Sequence, residues 1–178
     1  MLIRTMGLFW KRAHVFWGKG NNAGALGGVW SRGKRQDPVD FWDQAGVYAL
    51  YADYQLVYVG QTGTGRTRLG QRLRRHTRDY LAGRWDSFSW FGVCQVLKHG
   101  ALKDPPSVRN AKFNEILDIL EGVVIAVGEP PLNRQGGRFG KGVRRYLQVR
   151  DERLGPTAQE AVADILNQIG RMRKDLRD

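Results

Sequence analysis

Residues 46–60 read GVYALYADYQLVYVG, and this stretch decides the fold. It contains two short apolar runs, rich in aromatic and β-branched residues, which is typical of β-strands. Only Ala52-Asp53-Tyr54 separates the runs, and a connection this short predicts a β-hairpin. A loop centred on Asp53 places Tyr48 directly opposite Tyr58, so both rings leave the sheet on one face. The hairpin therefore predicts one site that two phenols share.

The composition predicts one domain with extensions. The chain has 178 residues, of which 42% are hydrophobic, enough for one ordinary core. The apolar run at 122–128 is far shorter than the ~20 residues of a spanning helix, so we expect no membrane partner. Lys11 and Arg12 interrupt the N-terminal apolar run, and a single cysteine, Cys94, excludes an internal disulfide framework. These features favour a cytoplasmic protein. Because one cysteine cannot provide a structural zinc site of the usual kind, carboxylates would have to hold any metal.

The positive charge is concentrated in two segments. The formal net charge is +12. Residues 66–84 contain seven arginines against one acid, Asp79, and residues 134–150 contain five arginines and one lysine with no acid. A solvated basic face would be the simplest explanation. The preference for arginine favours phosphate contacts instead, because the planar guanidinium group matches phosphate geometry.

Further elements predict an α/β (α+β) fold: a small three-stranded, mixed or antiparallel sheet flanked by helices. Periodic apolar residues predict helices at 67–81 and 107–127, and a third strand fits 87–96. A capping box from Thr157 to Glu160 opens a last amphipathic helix, which docks on the domain or on a second copy as a homodimer. We expect a domain at 46–140 between an aromatic, glycine-rich extension at 1–45 and a basic C-terminal segment at 141–178. The aromatic extension covers the core or stacks on bases.

Five elements follow one another in order: the Gly-Val-Tyr strand, the Tyr-Val-Gly strand, a basic helix, an acid within an apolar helix, and an asparagine after Pro-Pro-Leu. Together they resemble the GIY-YIG nuclease family. The basic helix resembles the family's Leu-x-x-Arg-x-x-x-Tyr/His pattern through Leu69, Arg72 and His76. Glu121 and Asn133 match the family's metal-binding glutamate and closing asparagine. The resemblance covers about residues 45–137, and it departs from the family at Gln61, where lysine is common.

The resemblance implies a metal-dependent endonuclease that hydrolyses DNA. Tyr48 would be the general base and Tyr58 would help to hold the water, while Arg72 and His76 would serve as phosphate clamp and proton relay. Glu121 would bind one Mg²⁺ or Mn²⁺. Asn133 would orient the phosphate or its loop. Further contacts to nucleic acid are expected from Gln61, Arg66, Arg68, Arg75, Arg138, Lys141, Arg144 and Arg145.

Two other functions fit parts of this sequence. A non-catalytic nucleic-acid-binding module on the same fold would need the same basic segments, but it would have no use for the set Tyr48, Arg72, Glu121 and Asn133. Residues 60–67 also read G-x-x-x-x-G-R-T, which imitates a nucleotide phosphate loop. That loop requires lysine and a parallel sheet, whereas Arg66 follows a predicted antiparallel hairpin.

Overall fold

The predicted hairpin forms one edge of a seven-stranded mixed sheet. The computed structural model describes residues 2–19, 22–32, 37–63, 67–104, 113–129, 139 and 142–175. The strands and helices are β1 (Thr5–Lys11), β2 (Gly27–Trp30), β3 (Val39–Asp40), β4 (Gly46–Ala52), β5 (Gln55–Thr62), α1 (Leu69–His76), β6 (Ser87–Gly92), β7 (Gln95–Val96), β8 (Leu102–Lys103), α2 (Phe113–Gly128), β9 (Arg144–Gln148) and α3 (Ala158–Asp175). The large sheet has the order β3-β2-β9-β1-β6-β4-β5, and β7 pairs with β8 alone.

The expectation of a small three-stranded sheet is wrong. Segments that the sequence suggested to be extensions supply four of the seven strands: β1, β2, β3 and β9. β1 lies inside the sheet, antiparallel to β6 and parallel to β9. Its Trp10 is 2% exposed and joins the main core cluster with Phe41, so these aromatic residues belong to the core. The sheet is larger because the N-terminal segment pairs with β6 through its backbone.

The hairpin register differs from the prediction in a way that preserves the shared face. Asp53 and Tyr54 form a two-residue turn with φ of 48° and 66°, the left-handed geometry of a type I′ hairpin. This turn alone would send Tyr58 to the opposite face from Tyr48. A bulge intervenes, because Tyr51 pairs with Leu56 and Leu50 pairs with Tyr58, which leaves Val57 without a partner on β4. Tyr58 is therefore diagonal to Tyr48, not opposite it, but on the same face.

Helices cover the two faces of the sheet. Leu69 and Leu73 of α1 pack against Tyr48, Leu50 and their neighbours in the main core cluster. Ile119 of α2 joins a second cluster with Phe91, on the other face, since Phe91 follows Trp90 directly along β6. Within the described residues, no helix is both long and apolar enough to cross a membrane.

The starts of α1 and α3 and the end of α2 lie close to the predicted positions. α1 is shorter than expected, because turns replace the helix after His76. The start predicted for α2 falls outside the described residues. The capping box of α3 is confirmed, with Glu160 N donating to Thr157 Oγ1 (3.2 Å) and Thr157 N donating to Glu160 Oε2 (2.6 Å). An exposed apolar stripe follows on α3, formed by Val162, Ile165, Leu166 and Ile169. The homodimer through this helix stays a prediction.

Candidate functional site

Four of the predicted site residues come together where β4, β5 and α1 meet. The hydroxyl of Tyr48 lies 2.7 Å from Nε2 of His76, and Nε of Arg72 donates to the same hydroxyl at 3.3 Å. The ring of Tyr58 lies 6.1 Å from that of Tyr48 and 5.1 Å from that of His76, measured between centroids. Arg72 and His76 reach one point because residues four apart share a helix face. The predicted grouping of these four side chains agrees with this geometry.

Asp79 extends this group on the side away from the tyrosines. Its Oδ2 lies 2.8 Å from Nδ1 of His76, and its Oδ1 accepts from the backbone N–H of Leu81 at 2.9 Å. Burial by itself raises the pKa of Asp79. The hydrogen bonds from Leu81 and His76 outweigh that effect, and they hold the pKa below its usual value. Asp79 is therefore an ionised acceptor at neutral pH.

An ionised Asp79 determines where the protons lie in this group. A carboxylate only accepts hydrogen bonds, so Nδ1 of His76 must carry a proton. In the neutral imidazole Nε2 is then an acceptor, and the hydroxyl of Tyr48 donates to it. The result is a directed chain from Tyr48 through His76 to Asp79, in which each group can pass a proton to the next.

Tyr48 and His76 are buried, at 0% and 2% exposed, and the two side chains beside them, Tyr58 and Arg72, are partly exposed. Burial raises the pKa of Tyr48 to about 12, although the hydrogen bond from Arg72 opposes the shift. Tyr48 is therefore neutral near pH 7. A ligand arriving from solvent would first meet Tyr58 and Arg72.

Glu121 does not join the tyrosines in this structure. It is exposed on α2, whose Val127 carbonyl accepts a hydrogen bond from Tyr51 Oη at 3.3 Å. Tyr51 is three residues beyond Tyr48 on β4, so the two rings point to opposite faces of the sheet. In the described part of the chain, no group of three or more His, Cys, Asp or Glu side chains could hold a metal ion. The described residues therefore do not fit a metal shared by Glu121 and Tyr48.

The other predicted nucleic-acid contacts are dispersed. Arg68 forms a two-point ion pair with Asp104, at 2.9 and 3.1 Å. Arg75 is exposed on α1. Gln61 of β5 is exposed and pairs with Val47 of β4. Because Val47 is adjacent to Tyr48, Gln61 points away from the Tyr48 face. β5 is an antiparallel edge strand, which does not match the parallel sheet of a nucleotide phosphate loop. Four predicted site residues lie outside the described residues: Arg66, Asn133, Arg138 and Lys141.

Arg144 and Arg145 point to opposite faces of β9. Tyr146 is buried in the main core cluster, so Arg144, two residues before it, shares the face of Tyr48. Arg145 pairs with Met6, which packs in the second cluster, on the face of α2. Arg144 also lies over the ring of Trp30, with its guanidinium carbon 4.6 Å from the ring centroid. Only Arg144 can therefore belong to a surface continuous with the tyrosines.

Sequence reasoning missed Asp79 as a site residue and counted it only as the one acid in a basic segment. The available signal was its spacing, because an acid three residues after a helical histidine can reach the imidazole. The turn after α1 makes that contact possible by directing the carboxylate back to His76.

Comparison with known proteins gives no relative from which to transfer a function. No family model matches the chain, and no match was found among curated proteins or solved structures. The resemblance to GIY-YIG nucleases therefore depends on the quoted residues and their geometry.

Proposed function

We propose that this protein is a GIY-YIG-type endonuclease that hydrolyses DNA phosphodiester bonds. The observation that carries the proposal is the shared hydrogen-bond group of Tyr48, Arg72 and His76, with Tyr58 beside it. This group combines a proton acceptor chain with a cation at a partly exposed surface. Phosphodiester hydrolysis needs both, since water must lose a proton and the phosphate gains negative charge.

Tyr48 works through His76 in this mechanism. A phenol with a pKa of about 12 does not supply a phenolate at neutral pH. It can act as a base by accepting the proton of the attacking water while its own hydroxyl proton moves to Nε2 of His76. The imidazolium that forms is stabilised by the carboxylate of Asp79. The water oxygen bonds to phosphorus, the bond to the leaving oxygen breaks, and that oxygen takes a proton from solvent.

Arg72 binds the scissile phosphate and opens access to Tyr48. Its Nε is hydrogen-bonded to the Tyr48 hydroxyl, and the side chain is partly exposed. A phosphate oxygen is a stronger acceptor for this guanidinium than a neutral phenol, because its negative charge adds Coulomb attraction and the phosphate can accept two parallel N–H groups. Substrate would therefore draw the guanidinium outward and free the hydroxyl for water. Tyr58 borders the same opening and holds that water.

The divalent metal implied by the resemblance has no place in this mechanism. Glu121 lies on the α2 face, so no step is assigned to Mg²⁺ or Mn²⁺. Metal dependence is tested directly in the experiment below.

The test is a nicking assay on supercoiled DNA, with Mg²⁺, with Mn²⁺ and with EDTA. We expect wild type to nick the DNA and Arg72→Ala to lose at least about a hundredfold in rate, in line with removal of one charge-stabilising donor. Arg84→Ala is the matched control, because Arg84 is an exposed arginine outside α1. Wild type that binds DNA but cuts it in no metal condition would overturn the enzymatic proposal.

A non-catalytic nucleic-acid-binding module is the second candidate. The complete burial of Tyr48 favours it, because a hydroxyl enclosed by Arg72 and His76 also serves simply to fix α1 on the hairpin. On this alternative Arg72→Ala weakens DNA binding, and no preparation of the protein cuts DNA. The nicking assay and a binding assay on the same samples separate the two functions.

A further inference from the structure

A cleft lies beside α1, on the side away from Tyr48. Its volume is about 520 Å³, and it is bounded by Ala23 and Gly24 of the N-terminal segment and by Trp42. The ring of Trp42 packs so closely against Gly24 and Gly70 that a Cβ at either glycine would overlap it. The indole of Trp42 is thus packed tightly against the backbone of both glycines. The remaining wall is polar and basic, formed by Gln71, Arg74, Arg75, Arg78 and Asp79.

The charge in this cleft is not balanced within the described residues. Arg68 has Asp104 as its partner, but no ion pair joins Arg74, Arg75 or Arg78 to a carboxylate in the described part of the chain. Asp79, the acid in the cleft wall, is hydrogen-bonded to His76 and Leu81 N, and its charge offsets one of the three arginines, so two positive charges remain. Nε of Arg74 is buried and lacks a hydrogen-bond partner among the described residues. Three arginines crowded at one cleft repel one another, so an anion would stabilise them.

The same arginines continue a line that begins at the candidate active site. Arg72, Arg75 and Arg78 are three residues apart, and side chains at this spacing are neighbours on a helix surface, about 5–6 Å between Cβ atoms. Arg78 N donates to Arg75 O at 2.9 Å, so the chain beyond α1 tightens into an i to i+3 turn. In such a turn the side chains at i and i+3 eclipse. The row therefore leads from Arg72 into the cleft.

We infer that the Arg74, Arg75 and Arg78 cleft binds backbone phosphates of the nucleic-acid strand that are adjacent to the phosphate held by Arg72. The spacing of the row suits successive phosphates along one strand, and guanidinium groups are suited to phosphate oxygens. The cleft then sets the register of the strand, and it carries no base specificity. This inference rests on the proposed function for the identity of the strand, but its test measures binding and not cleavage.

The experiment measures affinity for a labelled single-stranded oligonucleotide by fluorescence anisotropy between 50 and 200 mM salt. The variants are Arg75→Gln/Arg78→Gln and, separately, Arg74→Gln, with Arg84→Gln as the control for an exposed arginine outside the cleft. Thermal melting verifies that each variant is folded. Inorganic phosphate and a nucleoside monophosphate compete in parallel, to separate a strand site from a site for free anions.

We expect the double variant to reduce the slope of log K against log salt by about 1.4, which is about 0.7 for each lost contact to a single strand. Arg84→Gln should leave the slope unchanged. Equal slopes for the double variant and the control would overturn the inference, and so would complete competition by free phosphate at millimolar concentration. A slope change in a protein that never nicks DNA would support phosphate binding by the cleft and overturn the nuclease proposal. Nicking with an unchanged slope would support the nuclease proposal and overturn phosphate binding by the cleft.

Discussion

Gly60 lies directly opposite Tyr48 in the ladder between β4 and β5, and its missing side chain leaves the space that the phenol occupies. A Cβ built on Gly60 would overlap the hydroxyl and the adjoining ring carbons of Tyr48. Because those atoms are fixed by His76 and Arg72, the ring cannot move aside without losing hydrogen bonds. The glycine of the Tyr-Val-Gly run is therefore a steric requirement of the site.

Gly60→Ala should destabilise the protein and displace Tyr48. We expect a loss of about 1–3 kcal/mol in the free energy of unfolding, the usual cost of overpacking. Urea denaturation measures it, and the nicking rate should fall in the same variant. Gly27→Ala is the matched control in β2, where the nearest atom to an added Cβ is 3.7 Å away. Equal stability of the two variants would contradict the steric role of Gly60.

Tyr48→Phe should change how stability depends on alkaline pH. The pKa of Tyr48 is raised from 10.0 to about 12, so its contribution to stability is complete below pH 10 and is lost as pH rises through 12. A shift of two pKa units corresponds to about 2–3 kcal/mol in the free energy of unfolding. At pH 8 the variant should be less stable than wild type, because it lacks the hydrogen bonds to His76 and Arg72.

The free energy of unfolding, measured in urea at pH 8, 10, 11 and 12, gives the difference between wild type and Tyr48→Phe. This difference should narrow between pH 10 and pH 12. Tyr54→Phe, at a ring that is 78% exposed, is the control for loss of a phenol at the surface. A stability difference that stays constant from pH 8 to pH 12 would show that Tyr48 ionises at no higher pH in the folded protein than in the unfolded chain.

The local part of the fold could be predicted from the sequence, but the extent of the sheet could not. The hairpin and the α3 capping box depend on contacts within a few residues, and their signals lie in adjacent positions. β1 instead pairs with β6 and β9, which are separated from it by about 80 and 140 residues. Its glycine- and aromatic-rich surroundings give no local sign of those partners. Strand pairing at that distance is decided by burial of residues such as Trp10.

The candidate site divides in the same way. Arg72 and His76 could be predicted because their spacing on a helix brings them to one face. The shared face of Tyr48 and Tyr58 was also predicted, but for an incomplete reason. It requires both the two-residue turn and the Val57 bulge, and no local pattern marks the bulge. Glu121 was assigned from the rarity of an acid in an apolar helix, and such an acid can instead occupy the exposed side of that helix.

Asp79→Asn should reverse the direction of the hydrogen-bond chain. Leu81 N needs an acceptor, so the amide oxygen of Asn would face it and the amide NH₂ would face Nδ1 of His76. His76 would then carry its proton on Nε2 and would no longer accept from Tyr48. Nitrogen-15 NMR of the imidazole reports this tautomer directly, and the nicking rate should fall while DNA affinity is retained.

Asp104→Asn is the matched control, because it breaks a carboxylate contact to Arg68 away from Tyr48. It should leave the His76 tautomer unchanged. An Asp79→Asn protein with Nδ1 of His76 still protonated would show that Asp79 does not orient the ring.

Glu121→Ala distinguishes the position of Glu121 in the structure from the role that the resemblance implies. Because Glu121 is exposed on the face opposite Tyr48, we expect the variant to nick DNA within about threefold of wild type in Mg²⁺ and in Mn²⁺. Asp164→Ala on α3 is the control for an exposed helical carboxylate. A loss of a hundredfold or more, specific to Glu121, would establish it as the metal ligand and contradict the separation of the two faces.

Arg144 and Arg145 should differ in their contribution to DNA binding, although they are adjacent in sequence. Arg144 pairs with Thr5, and Thr5 aligns through Gly92 with Gly46, so Arg144 lies three strands from the start of β4. At about 4.8 Å per strand this is about 14 Å, a distance that a bound duplex spans. Arg145 points to the α2 face and would not meet the same duplex.

Arg144→Gln should therefore reduce the slope of log K against log salt for duplex binding by about 0.9, the value for one lost phosphate contact. Arg145→Gln has the same charge change and should leave the slope as in wild type. Fluorescence anisotropy between 50 and 200 mM salt measures both slopes. Equal reductions of the slope in the two variants would mean that the positive charge of β9 acts on DNA at long range, whichever face of the sheet holds the duplex.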